Sequence, residues 1–272
     1  MVDVQSIGTG VSAVKEDPST EHLPYELISK LQEKFSSAIQ YIKGEQVVGV
    51  VAKGLTISRF GKLSWLQIST KRMLFLFDIL SISAEGFKNG LKSVLQDETI
   101  LKVVHDCRLL SDCTYHQFGV YLSNVFDTQV ADAIVTKESS GGKWPCKVKT
   151  LRECLYNYLP WVTLPPAQQA SEAAWMTRPC PNRLLNAATA EAWHLLSLRE
   201  ALLERMMAPF TSCVDFYLGY YRNAPDDKHR NFPSESMDLL SELPSVYEAE
   251  AASPRLSENA QRSGSRRQDL SE

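Results

Sequence analysis

The residues best placed to do chemistry lie in one run, Val103-Val104-His105-Asp106-Cys107-Arg108-Leu109-Leu110-Ser111-Asp112. A β-branched pair opens it and polar groups follow at His105 and Asp106. Leu109, Leu110, Cys113 and Phe118 then recur at helical intervals. The pattern predicts a strand running into a helix, with polar side chains at the junction. In an open α/β sheet that strand end is where ligands bind. His105 beside Cys107 invites a base–nucleophile reading. The two are neighbours in sequence only, however, and a hydrogen-bonded structural histidine is the simpler account.

The flanking elements must hold that junction in place. Leu27, Ile28, Leu31, Phe35, Ala38, Ile39 and Ile42 recur at three and four, predicting an amphipathic helix from Tyr25 to a Gly44 cap. Val47 to Ala52 is a continuous apolar run, as expected of a strand buried on both faces. Residues 63–69 alternate at period two and residues 73–79 form another apolar run, so an antiparallel meander is expected. A helix over 83–96, the strand 100–104, a helix over 108–118, a strand over 122–126 and a helix capped by Asp127 follow. Residues 137–149, with Ser139-Ser140-Gly141-Gly142 and Pro145, read as a loop. Helices are expected over 150–159 and 182–207. The class is α/β: a meander followed by βα units.

The chain has 272 residues, 44% of them apolar, and a net charge of −3. From Asn223 onward there are 6 Lys+Arg against 10 Asp+Glu, which leaves 23 basic and 22 acidic residues before it. The acidic excess thus belongs to the tail, and a near-neutral body can still carry a basic face. Residues 1–24 and 223–272 lack periodicity and read as disordered, with one folded domain over 25–222. Leu239, Leu240 and Leu243 in the tail read as linker or as a short docking segment. The six cysteines have no CxxC or zinc-ligand spacing, so each reads as a small buried apolar residue. Residues 1–24 contain no apolar signal core, and no run is long enough to span a bilayer. An intracellular, cytoplasmic protein with free thiols is expected, without a membrane.

Three local patterns stand in register. One is Val48-Gly49-Val50-Val51-Ala52-Lys53-Gly54-Leu55. The second is His105-Asp106-Cys107-Arg108, with Tyr115-His116-Gln117-Phe118-Gly119 and Phe126-Asp127-Thr128-Gln129 behind it. The third is Trp175-Met176-Thr177-Arg178-Pro179. Together, over roughly residues 25–210, they resemble the DEDD-type 3′–5′ exonuclease domain of the ribonuclease D class. Within it the likeness is to the branch acting in piRNA biogenesis, and more distantly to Egalitarian-like proteins. The resemblance implies a ribonuclease H-like 3′–5′ exonuclease fold, with a mixed central sheet (antiparallel meander plus parallel strands) flanked by helices.

That family hydrolyses RNA with two divalent cations, about 3.5–4 Å apart, held by four carboxylates. Mg²⁺ and Mn²⁺ require oxygen ligands. The resemblance places the first Asp and Glu at Val51 and Lys53, two apart and therefore on one face of a strand. It places the third acid at Leu110, the fourth at Glu191 and the water-orienting tyrosine at Ala187. Three of the four acids are gone, and Lys53 puts a cation where a cation should bind. Asp106, Asp112 and Asp127 do not replace them. The expectation is a pseudo-exonuclease without metal or other cofactor.

What would remain is a groove for a single-stranded 3′ end. Candidate RNA contacts are Lys53, Arg59, Lys62, Lys143, Lys147, Lys149 and Arg178, with Lys71, Arg72 and Arg152 also basic and nearby in sequence. Trp144, inside the basic run, is either a base-stacking platform or the anchor of a solvated loop. Arg178 has a structural ion pair as its alternative. The resemblance implies an RNA-binding adaptor for piRNA precursors or targets, acting in meiotic germline silencing. It also implies a homodimer, a Tudor-domain protein and a PIWI protein as partners, and cytoplasmic germ granules. A protein-only scaffold stays open because the body is near neutral. Residual nuclease activity through Glu191 is the third reading.

Overall fold

A computed structural model describes residues 25–165, 171–226 and 240–251. At its centre is a six-stranded mixed sheet in the order β1-β4-β3-β2-β5-β6. The strands are β1 (Tyr25–Ile28), β2 (Val47–Leu55), β3 (Lys62–Ser69), β4 (Leu74–Asp78), β5 (Leu101–Val104) and β6 (Val125–Asp127). The meander β2-β3-β4 is antiparallel, as expected, whereas β1, β5 and β6 join parallel to β4, β2 and β5.

Side-chain alternation sends the two faces of the sheet into separate cores. On one face Val48, Val50, Leu63, Leu66 and Ile68 pack with α1 (Glu33–Lys43), α2 (Ile79–Gly86), α3 (Lys92–Leu95) and α4 (Cys107–Phe118). On the other, Val51, Trp65, Leu74, Leu76 and Val103 pack with α5 (Thr128–Ser139), α6 (Leu151–Tyr158), α7 (Asn182–Trp193) and α8 (Leu195–Arg222). The apolar run of β2 is thus buried on both sides, as its composition dictates.

Several boundaries differ from the sequence expectation. Residues 25–28 are a strand, not the start of a helix. Leu27 and Leu31, which completed the apparent helical stripe, are 45% and 40% exposed, and the true helix begins at Glu33. The helix expected over 83–96 starts at Ile79, because Asp78 caps it by accepting from the Ser81 N–H. It is interrupted by a π turn at Phe87–Leu91, where Gly90 has φ +156° and lies so close to Ile39 that a Cβ would stand 2.8 Å from that side chain. The strand expected over 122–126 lies at Val125–Asp127. The helix expected over 182–207 is two, parted at His194, and the second runs on to Arg222. Within the expected unstructured tail a ninth helix, α9 (Leu243–Ala251), lies against α8. The rest of that tail and residues 1–24 fall outside the described residues.

Candidate functional site

Val51 and Lys53 lie two apart on β2, so both turn to the α7 side of the sheet. Glu191, on α7 and 9% exposed, meets Lys53 there: Nζ donates to Oε2 at 2.8 Å. Arg152 of α6 reaches the other carboxylate oxygen at 3.5 Å. Its second nitrogen donates to the Pro165 carbonyl at 2.6 Å and to Tyr156 Oη at 3.1 Å. The Trp175 ring stands 5.7 Å from Lys53 Nζ. One carboxylate thus carries two cations and ties β2, α6 and α7 together.

The residues present do not fit a pair of divalent cations. The carboxylate that could ligand one is engaged by an ammonium and a guanidinium, and a metal would be set against both. Val51 is apolar and packs in the same core as Leu184 and Ala190. Leu110, expected beside them, is 6% exposed and packs in the opposite core with Val104 and Cys113. Ala187 is half-buried one turn before Glu191. Among the described residues, no group of His, Cys, Asp and Glu has the geometry to hold a metal ion.

Ion pairs also claim other cations proposed as phosphate contacts. Arg178 donates to both oxygens of the buried Asp78 at 2.7 Å, to Ser64 and to the Trp175 carbonyl, and stacks on Trp65 at 4.0 Å. Burial alone would raise the Asp78 carboxyl, but Arg178 and Ser81 outweigh it and hold Asp78 below its ordinary range. Lys149 donates to Asp132 at 2.6 Å, and Tyr158 donates to the same oxygen at 2.8 Å. Arg59 binds Asp112 through its backbone N–H and its guanidinium. Lys71 and Arg72 are exposed beyond the end of β3 that pairs with Gly49, away from Lys53.

The candidates left exposed are Lys62, Lys143, Trp144 and Lys147. Trp144 is 62% exposed and has Lys137 Nζ 4.9 Å from its ring centroid. The loop that carries it follows α5, and Thr150 ends it with a capping box that starts α6.

His105 is a structural residue. Its Nδ1 is 2.9 Å from Thr128 Oγ1 and its Nε2 3.0 Å from the Lys149 carbonyl. Burial pushes its pKa down. Burial also pushes the Cys107 and Cys113 thiols up to about 11, so neither is a nucleophile near neutrality. Asp106 and Asp127 serve as helix caps. Sequence reasoning missed Asp78, Asp132 and the Trp175 carbonyl as anchors. An acid closing the apolar run Leu74–Phe77 was the available signal for Asp78.

Residues 28–207 match the 3′–5′ exonuclease family. The piRNA biogenesis protein EXD1 of Homo sapiens is 41% identical over 239 residues, covering 85% of this chain and 46% of that protein. The Mus musculus protein of the same name is 40% identical over 242 residues, covering 86% and 42%. The chain thus spans less than half the length of either relative. Among solved structures, Trypanosoma brucei RNase D in complex with RNA U12 aligns with TM-score 0.55 and 22% identity, covering 66% of this chain and 62% of that one. That likeness shows the fold: an α/β domain of ribonuclease D type.

Proposed function

The chain belongs to the 3′–5′ exonuclease family, and on that premise we propose that it is a catalytically inactive, RNA-binding adaptor in piRNA biogenesis. The observation that carries the reading is the Lys53–Glu191 bridge. At the two positions where family resemblance puts one metal-binding Glu and one metal-binding Asp, this chain has a cation bonded to a carboxylate. Val51 and Leu110, at the other two, offer no oxygen. A hydrolytic water activated by two metals has no ligand set here.

Single-stranded RNA is the proposed ligand, and the exposed loop with Lys143, Trp144 and Lys147, together with Lys62, is its proposed contact surface. This narrows the sequence expectation, because Lys53, Arg59, Lys149 and Arg178 already hold carboxylates of the same chain. The homodimer, the Tudor-domain and PIWI partners and the cytoplasmic location are proposed from the likeness to the piRNA proteins. No helix among the described residues is long and apolar enough to cross a membrane.

Two titrations test the reading. Labelled single-stranded RNA is bound by the chain at two salt concentrations, and salt-sensitive retention on a filter is expected. The same RNA is incubated with Mn²⁺ and should stay intact. Shortening from the 3′ end that disappears in Glu191→Ala overturns the inactive reading. RNA that stays unbound at low salt favours a protein-only scaffold instead.

A further inference from the structure

The hairpin between β2 and β3 carries the most exposed large apolar side chain among the described residues, Phe60, at 92%. A single surface ring is ordinary where the backbone can turn it back onto apolar neighbours. This hairpin is pinned by three side chains from other elements. Glu172, in the 3₁₀ turn Glu172–Met176, accepts from the Thr56 N–H at 2.8 Å and from its hydroxyl at 3.2 Å. It thereby holds Thr56 at φ +47°, a conformation that β-branched residues rarely adopt. Asp112 of α4 accepts from the Arg59 backbone N–H and from its guanidinium. Gln117 of the same helix donates to the Ser58 and Gly61 carbonyls at 2.6 and 3.0 Å. Gly61 packs against the Thr56 carbonyl with no space for a Cβ, and Ile57 turns into the core.

The pinned tip stands at the ligand end of the sheet. It leaves the C-terminal end of β2, just beyond Lys53, and Glu172 lies three residues before Trp175, whose ring stands beside Lys53. The loop with Trp144 closes at the same end, where the Lys149 carbonyl meets His105, the residue after β5. Tyr25, the first described residue, is at the other end: it pairs with Leu74, Leu74 with Ser69, and Ser69 with Gly49. Residues 166–170, ahead of the Glu172 turn, contain no apolar side chain larger than proline.

We propose that Phe60 is a stacking platform for a base of single-stranded RNA, with Lys62 on the adjoining phosphate, so that the hairpin is a second contact beside the Trp144 loop. This rests on the adaptor reading above and names a further subsite for it. The surroundings of the ring favour a base over a protein. Thr56, Ser58, Arg59 and Lys62 are polar, whereas a protein partner would need a contiguous apolar patch of several hundred Å². A base needs one ring face and a cation within reach of its phosphate. Lys62 is exposed and makes no ion pair among the described residues. The charge of Asp112 is matched by Arg59, and Glu172 is turned onto the Thr56 backbone. Because the tip is already fixed, binding has no loop left to order there.

The test is photocrosslinking of the 272-residue chain to oligouridylate carrying 5-iodouridine, read by mass spectrometry of the peptide that contains Phe60. Phe60 should carry the crosslinked uridine. In filter titrations Phe60→Ala should bind the same RNA about tenfold more weakly, with an unchanged urea midpoint. Phe60→Trp should match or exceed the parent. Phe60→Leu keeps apolar bulk without a ring and should bind as weakly as Phe60→Ala. The slope of log affinity against log salt should be unchanged in Phe60→Ala and lower by about 0.7 in Lys62→Ala, one single-strand phosphate contact. Crosslinks confined to other residues, or parent-like binding by Phe60→Leu, overturn the stacking site. RNA that binds the parent and is indifferent to Phe60 leaves the adaptor reading standing without this inference. RNA that fails to bind the parent overturns the adaptor reading and this subsite with it.

Discussion

Lys53 and Lys143 have the same side chain and opposite fates. Lys53 stands in the cleft with its ammonium on Glu191 and a side chain 25% exposed. Lys143 stands exposed in the loop beside Trp144 and makes no ion pair among the described residues. What separates them is a carboxylate within hydrogen-bond reach. A phosphate arriving at Lys53 must compete with a bridge already formed and partly desolvated, whereas at Lys143 it displaces only water and counterions. A cation counted in a sequence is therefore a binding candidate only after the chain's own acids have taken their share. Arg178 is the extreme of the first kind: it serves Asp78, whose side chain is 5% exposed.

The largest effect should come from the most buried of these pairs. Arg178→Ala strands the Asp78 carboxylate and removes the stacking on Trp65, and should lower unfolding stability by about 3 kcal/mol. Urea denaturation reads this directly. A loss below about 1 kcal/mol would place Arg178 with the weakly held surface cations and break the division. The folded fraction of the variant should bind RNA as the parent does.

The opposite pattern is expected in the loop. Trp144→Ala should weaken single-stranded RNA binding about tenfold, the value of one lost base stack, with no change in the urea midpoint. Lys143→Ala with Lys147→Ala should lower the slope of log affinity against log salt by about 1.4, two single-strand phosphate contacts. An unchanged slope would mean that the loop lysines, though free of ion pairs among the described residues, are not the contacts.

Lys53→Met sharpens the comparison from the cleft side. Glu191 keeps Arg152, so the cost to stability should be near 1 kcal/mol, smaller than for Arg178. RNA affinity should change less than about twofold, below one lost phosphate contact. A drop in affinity as large as that of the loop variants would show that Lys53 leaves Glu191 to bind phosphate.

Much of this molecule was legible in its sequence, and the exceptions have physical reasons. The meander, the buried β2, the Asp127 cap and the helix after His105 follow from local period and capping chemistry. Residues 25–28 were misread because Leu27 and Ile28 satisfy a helical period with Leu31 as well as a strand period. Only pairing with Leu74–Phe77, some fifty residues away, decides between them. The nearness of the Lys53 and Glu191 positions was implied by family resemblance, though not the ion pair between them, since 138 residues separate them and no local pattern links them. The pairs Asp78–Arg178 and Asp132–Lys149 were not, because sequence gives charges without saying which ones the fold brings together. Leu110 shows the limit of transferring positions: the resemblance sets it beside Val51, but its side chain packs into the opposite core.

The smallest effect is a matter of protons, and it tests burial against hydrogen bonding at His105. A charged ring could donate Nδ1–H to Thr128 and Nε2–H to the Lys149 carbonyl, leaving the Thr128 hydroxyl on Val104, where it also bonds. That network favours the imidazolium. Burial favours the neutral ring and outweighs it, so the His105 pKa lies below its ordinary 6.5; His194 is lowered by burial too. The sign follows. With the folded pKa depressed, the unfolded chain binds more protons, and stability rises with pH through that window. The contribution is complete above 6.5 and is lost as pH falls from 6.5 through the folded values, at a slope bounded by about 1.4 kcal/mol per pH unit for each histidine. Asp78, also depressed, adds the same sign only below its ordinary 3.8. Urea midpoints measured between pH 7.5 and 5 should therefore fall, and His105→Gln should flatten the decline without changing RNA affinity at pH 7.5. A midpoint that rises on acidification and loses the rise in His105→Gln would mean that the hydrogen-bond network, and not burial, sets the charge of this histidine.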